Sequence, residues 1–517
     1  MMKKLGSFLL ILALTAGTLA GCGGSGGNSS DAAEKDTLTV VINSDPGTLD
    51  PHDNVNFAPH QVKRQIYETL VVRNDEGELV PWLAESWEYE DDETLVFQIR
   101  QGVKFHNGEE LKASDVLFSL KRALDDNTTG AIQVNRIDFN RCEVMGDYTV
   151  KIVTDGPYAM QLAMLENPLI SMISEKAYTE SGGDFFEAPI GTGPYKLVSY
   201  AAGDSVVLEA NEEYWREGEP HIPNLIFRVI TDASSRAIEA ESGGADIVYD
   251  ISANDVERVA ANPGVNLVSM AGYNTSYLLF NQNREPLSDI RVREAIFLAL
   301  DVPTAIEVAY GSFGELGSGI VSPGVEGRHP DLTPYFPTRD LERAKQLLEE
   351  AGYGGGLTLE IICENSNQQR MDFCEAAQAQ LAEVGITLVP KFLDANDWAA
   401  TTINGGTDIA IYGTTASTGE AGRILMRYAP GIAEYGAVNW TGPEAEAYAE
   451  LLNTALVTID ADARNTMYHT CQELLMENFV CYPIWHKEIN AALQLDVQGF
   501  HLMPTYENHY LQYVYFG

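Results

Sequence analysis

Basic residues are scarce. Lys and Arg number 33 against 75 Asp and Glu, which leaves a formal net charge of −42 over 517 residues. A surface of that sign repels phosphate backbones and anionic lipid heads. Nucleic-acid binding through a broad basic face is therefore excluded, and so is membrane adhesion through the protein's own surface. Cysteine is scarce too: six residues cannot build a disulfide-dense scaffold. No H-E-x-x-H, C-x-x-C or C-x-x-H pattern occurs, and no P-loop. His52 and His60 are eight apart, as are His501 and His509, a spacing that does not put two imidazoles on one helical face. No metal and no cofactor is expected. Beyond the first twenty residues no run of about twenty apolar residues exists, so no transmembrane helix is expected in the body. What is abundant is core material. Hydrophobic residues make up 45%, which rules out global disorder, and the length suggests two to four domains.

The first residues carry an export signal. Lys3 and Lys4 precede an apolar stretch at 8–16 (FLLILALTA), followed by small residues ending in Leu19-Ala20-Gly21-Cys22. Leu-Ala-Gly-Cys resembles the lipobox of bacterial lipoproteins, which implies cleavage after residue 21 and acylation of Cys22. A diacylglyceryl cysteine carries two chains, and stable anchoring needs two such signals. Residues 22–36 then read as a flexible Gly/Ser tether, with a span of roughly 20 Å. The Gly23-Gly24-Ser25-Gly26-Gly27 match to G-x-S-x-G is spurious, because that elbow needs a strand before it and a helix after it.

The body is mixed α/β. Residues 38–43 (LTVVIN) read as a buried strand, and 94–100 alternate apolar and polar as a half-buried one. Hairpins turn at Gly146-Asp147 and Gly203-Asp204. Ser114 is the expected N-cap of a helix carrying Val116, Leu117, Leu120 and Leu124. In the second half, strands are expected at 276–280, 357–362, 386–389 and 408–412. Helices are expected at 289–300, 340–351, 371–384, from Pro443, and at 463–477. Alternating strands and helices indicate sheets covered by helices. Of the five later cysteines, Cys363–Cys374 and Cys471–Cys481 each bridge a strand–helix junction; disulfides and buried thiols are both open for them, beside Cys142. With 75 carboxylates, a glycosidase pair is not ruled out by inspection, but no carboxylate stands apart from a solvated background.

Several motifs in one order resemble a family. Asp45-Pro46-Gly47-Thr48-Leu49-Asp50-Pro51, the block at 66–116, Gly191-Thr192-Gly193-Pro194-Tyr195, Asn211-Glu212-Glu213-Tyr214-Trp215, 281–301 and 340–353 are similar to the peptide/nickel-type extracellular solute-binding proteins of ABC importers (family 5). The resemblance spans nearly the whole chain after the tether. It implies a two-lobed α/β periplasmic-binding-protein-like fold with a hinge and an extra subdomain. Lobe I is expected over 37–274 with the subdomain at about 75–195, lobe II over 275–487, and a return to lobe I over 488–517. It also implies a monomeric, non-catalytic receptor that captures a short peptide or peptide-like solute and hands it to ABC permease subunits. A nickel chelate or an oligosaccharide is the alternative cargo. An extracellular hydrolase and a surface adhesin are the rival classes.

The expected site follows from the cargo's charges. Burying a peptide's ammonium and carboxylate requires an acidic and a basic partner. Peptide-binding relatives supply the acid from a W-x-x-x-x-G-D-x-D loop, which the stretch from Tyr412 through Ser417 to Gly422 resembles. Glu420 stands at the first Asp, Thr414 at the Trp and Gly422 at the second Asp. Glu420 is thus the expected ammonium partner, and its competing assignment is a solvated loop carboxylate. Arg370, Arg423 and Arg427 are candidate carboxylate clamps, since guanidinium offers a bidentate fork. Asn439-Trp440 matches a position near the cleft, where Trp440 would replace the lost aromatic wall. Thr48 is expected to border the cleft from the other lobe.

Overall fold

A buried strand, Thr37–Ile42, starts the described chain and pairs in parallel with Asn224–Val229 on one side and Ile247–Tyr249 on the other. In this computed structural model the described residues are 35–53, 58–74, 77–126, 128–311, 313–430, 440–505 and 509–517. The compact body is Asp36–Gly517. The signal sequence, Cys22 and nearly all of the tether lie outside the described residues, as does Asn439. No helix among the described residues is long and apolar enough to cross a membrane.

One large mixed sheet organises the body. From one edge it runs Ile386–Leu393, Leu357–Glu364, Ile409–Thr415, Val265–Phe280, Cys481–Gln494, Ile247–Tyr249, Thr37–Ile42, Asn224–Val229, Ser205–Ala210 and Tyr195–Ala201. The short strand Glu315–Leu316 adds to Cys481–Gln494. The two central members are long because they belong to both halves of the sheet. Val265–Phe280 and Cys481–Gln494 run antiparallel, with pairing interrupted between Ala271 and Thr275. On the first half, one core gathers Leu38, Val40, Tyr195, Phe227 and Leu493; on the second, another gathers Phe280, Phe297, Leu359, Phe373 and Tyr482. A separate four-stranded sheet, Ala84–Asp91, Thr94–Ile99, Thr149–Val153 and Glu143–Gly146, shares a third core with the helix Ala113–Asp125. It falls inside the segment assigned to the extra subdomain.

Local chemistry sets the helix starts. Asp289, Asp340 and Asn367 each accept a backbone N–H in the first turn of the helix that follows, a cap worth about 1 kcal/mol. The helix expected to begin at Ser114 starts two residues earlier. Its N-cap is Lys112, whose N–H is taken by Asp115 Oδ2 at 2.9 Å, so Ser114 lies inside the first turn. Four strands outrun their expected lengths, two of them by only two residues. The strand expected at 276–280 extends back to Val265, and the one at 386–389 continues to Leu393. The five described cysteines are free thiols. Cys363 and Cys374 come closest, with their Sγ atoms 3.9 Å apart and no bond between them.

Candidate functional site

A cavity of about 440 Å³ opens where the halves of the large sheet meet, within the size range of small-solute sites. Five elements converge on it. The first-half strand Ile247–Tyr249 delivers Asp250 at its end, and the helix Ala233–Ser242 contributes Arg236. The two long strands contribute Asn274, Ser276, Trp485 and Lys487. The helix Gln368–Ala382 brings Arg370 in its first turn, fixed by the Asn367 cap (3.0 Å). Tyr310 stacks on Trp485, with ring centroids 4.2 Å apart, and closes one wall.

Asp250 is held in left-handed backbone (φ 59°), unusual for a residue other than glycine. Its carboxylate accepts from Asn43 Nδ2 (2.9 Å) and Lys487 Nζ (3.3 Å), and Arg236 Nη2 stands 3.6 Å away. Burial alone would raise this carboxyl; Lys487 and Arg236 outweigh it and bring it down to about 2. Arg236 itself is 4% exposed and spends its N–H groups on the backbone carbonyls of Ile230, Thr231 and Asp250.

Arg370 is placed differently. Among the described residues its guanidinium has one ionic neighbour, Glu364 Oε1 at 3.9 Å, which is beyond hydrogen-bond reach. Its Nη2 lies against Gly413, where an added Cβ would sit 2.4 Å away. The missing side chain at 413 lets the guanidinium lie across the strand Ile409–Thr415 and face the cavity. A second chamber of about 260 Å³ shares Tyr273, Pro504 and Thr505 with the first. Among the described residues its charges are Arg73 and Glu166, paired at 3.0 Å.

The sequence-derived site residues separate into groups. Arg370 lines the larger chamber and Ser417 the smaller. Thr48 lines neither; its Oγ1 accepts from the Asp50 N–H (3.1 Å) inside its own turn. Tyr412 stacks on Trp398 (5.1 Å, 20°) and packs on Tyr277. Trp440 is buried edge-on to Tyr448, in a further core cluster that also takes in Tyr158 and Met160. Arg423 and Arg427 lie half-buried on the short helices Ala421–Leu425 and Met426–Tyr428, outside both chambers.

Glu420 departs furthest from its expected place. It is 5% exposed, and its Oε1 takes the Arg464 guanidinium at 3.1 Å, while the same Arg464 nitrogen reaches Glu326 at 3.3 Å. Burial raises its carboxyl to about 7 against the opposing pull of Arg464. Its charge is engaged from a helix 44 residues further on, so it is neither a solvated loop acid nor a wall of either chamber.

Arg236, Asp250 and Lys487 were not singled out from the sequence. Arg236 and Asp250 lie 14 positions apart and Lys487 237 positions beyond Asp250, and each looks like an ordinary surface charge in its own segment. Asp250, directly after a short apolar run, is the nearest to a legible signal.

The model of the bacterial extracellular solute-binding proteins, family 5 (middle part), matches residues 78–431. The glutathione-binding protein GsiB of Salmonella paratyphi A is 28% identical over 488 residues, covering 91% of this chain and 93% of the relative. Among solved structures, NikA from Brucella suis in complex with Fe(III)-EDTA superposes with a TM-score of 0.84 at 26% identity, covering 93% of this chain and all of that one (100%). The binding protein AgaA of Agrobacterium tumefaciens R10, in complex with agropinic acid, gives a TM-score of 0.79 at 25% identity, with 93% and 99% covered.

Proposed function

This chain belongs to the bacterial extracellular solute-binding proteins of family 5, and from that premise we propose that it is the receptor of an ABC importer for a short peptide or peptide-like solute. The observation that carries the cargo assignment is Arg370: a cavity-facing guanidinium whose one ionic neighbour among the described residues is out of hydrogen-bond range. A part-buried guanidinium whose described carboxylate neighbour lies beyond hydrogen-bond range has N–H donors to offer, and a solute carboxylate would accept two parallel N–H···O bonds. Cargo of the glutathione class, named for the relatives, fits a cavity of this volume.

In this reading the two halves of the large sheet are lobes I and II, over about 37–274 and 275–487, with 488–517 returning to the first. The solute closes them by bridging both, and the closed form docks on the permease. Capture and release need no bond to be made or broken, so the receptor is non-catalytic and works as a monomer. Cys22 ties it by lipid to the outer face of the cell membrane, and the tether gives it reach.

Native mass spectrometry of the purified protein, followed by calorimetry with glutathione and short peptides, tests the cargo. A bound peptide-like solute is the expected result. Turnover of a peptide or glycan, lost on changing a carboxylate, would replace the receptor reading with a hydrolase. For the anchor, Cys22→Ala is expected to release the protein into the medium, and continued membrane retention would refute it.

A further inference from the structure

We propose that the cargo is a net-anionic solute, with acidic groups in excess of any ammonium. This deepens the receptor reading above and rests on it. The chain as a whole is strongly acidic, with 75 Asp and Glu against 33 Lys and Arg. The larger chamber reverses that balance. Among the described residues its lining holds three cations, Arg236, Arg370 and Lys487, and one carboxylate, Asp250. Counting Glu364, which stands behind Arg370 at 3.9 Å, still leaves one positive charge in excess. Glu488 follows Lys487 on the strand and is not part of the lining; its Oε2 accepts from the Gly314 N–H (3.3 Å).

The one lining carboxylate is poorly placed to receive an ammonium. Asp250 already has Asn43 and Lys487 in hydrogen-bond range and Arg236 at 3.6 Å. A cationic group brought to it would also meet those two cations. Glu420, the acid that sequence matching put forward for this role, is turned away onto Arg464. Low-dielectric walls such as the stacked Tyr310 and Trp485 strengthen the surplus positive field inside the cavity. An anion gains Arg370 directly and the Lys487–Arg236 side at longer range. A neutral or cationic solute gains less or is repelled. Among the described residues the smaller chamber leaves this balance unchanged, because Arg73 and Glu166 neutralise each other.

The test uses the full-length protein freed of bound solute by unfolding and refolding. Calorimetry compares Glu-Ala-Glu, its N-acetylated form, Ala-Ala-Ala and Lys-Ala-Lys, and mass spectrometry identifies what the protein captures from a casein digest. The expected order is acidic over neutral over basic. Acetylation should leave affinity within about threefold, and raised salt should weaken binding. Arg370→Gln should weaken Glu-Ala-Glu at least about 30-fold, the lower end of what losing a buried charge partner costs, with the melting temperature retained. Capture of neutral or basic solutes from the digest, or loss of binding on acetylation, overturns the charge assignment and leaves the receptor reading standing. Capture of nothing from the digest, together with no binding of the four peptides, overturns both.

Discussion

Replacing Glu420 by Gln should change how stability depends on pH, and the structure gives the size. The unfolded carboxyl gives up its proton near its ordinary value of 4.5, whereas the folded one, raised by burial against the pull of Arg464, holds it until about 7. Between those values the native state binds the extra proton, so stability falls as pH rises through the window and is level on either side. A difference of that size corresponds to about 3 kcal/mol, at about 1.4 kcal/mol per pH unit. Gln cannot ionise, keeps the shape, and leaves Arg464 its contact with Glu326 at 3.3 Å. The stability of Glu420→Gln relative to the parent should therefore rise by about 3 kcal/mol from pH 4.5 to pH 7.5. For a body this large that is about 3 °C in melting temperature, at an unfolding entropy of about 1 kcal/mol per kelvin. Differential scanning calorimetry of both proteins at half-unit pH steps provides the curve. Taking the difference cancels the other titrating groups. Parallel profiles would refute the argument, because they would mean that the Glu420 carboxyl binds its proton equally in the folded and unfolded states. Loss of solute binding in the variant at unchanged stability would instead return Glu420 to the cleft.

Other outcomes can be checked separately. His52 is buried, with Nδ1 facing Arg122 (3.0 Å) and Nε2 on the Ser171 carbonyl (2.8 Å); burial and Arg122 lower it to about 4. It therefore stays neutral in the native state while the unfolded imidazole gains a proton, so stability is lost as pH falls from about 6.5 to about 4. Its ring resonances should not titrate above pH 5, and a midpoint near 6.5 would contradict the burial. Phe297 stacks on Tyr482 at 3.9 Å within the second-half core, and Phe297→Ala should cost about 3–5 kcal/mol in urea unfolding. A loss under 1 kcal/mol would mean that the core closes over the gap. Alkylation in denaturant without reductant should label all five cysteines after Cys22, and a pair left unlabelled would reveal a disulfide.

The elements were legible where pattern and local chemistry agreed. The helix Leu341–Glu350 shows apolar spacing, an Asp340 cap and a following glycine, all readable in one stretch. Ser114 misled because hydroxyl caps are common; the carboxylate of Asp115, reaching back to Lys112, settled the start instead. Of the residues put forward from the sequence, Arg370 lines the larger chamber and Ser417 the smaller, and a nearby cap holds Arg370 in the first turn of its helix. Arg236, Asp250 and Lys487 meet through sheet order, with Asp250 and Lys487 237 positions apart, and no local pattern encodes that. Glu420 shows the converse. A loop match pointed to Glu420 as a cleft acid, and a partner 44 positions away, which the loop does not announce, takes its charge instead.

The broken pairing between Ala271 and Thr275 carries a mechanical consequence. Beyond the break, Thr275 to Phe280 and its neighbours act as a lever arm of about 20 Å, at about 3.3 Å per residue. A bend of about 10° there would move the far end by about 3–4 Å, on the scale of a side chain. Gly272 sits at this fulcrum, where an added Cβ would lie 2.9 Å from both the Lys487 carbonyl and Ile489 Cγ2. Substitutions at the fulcrum would tune how fast solute is exchanged through leverage, without altering a single charge in the chamber.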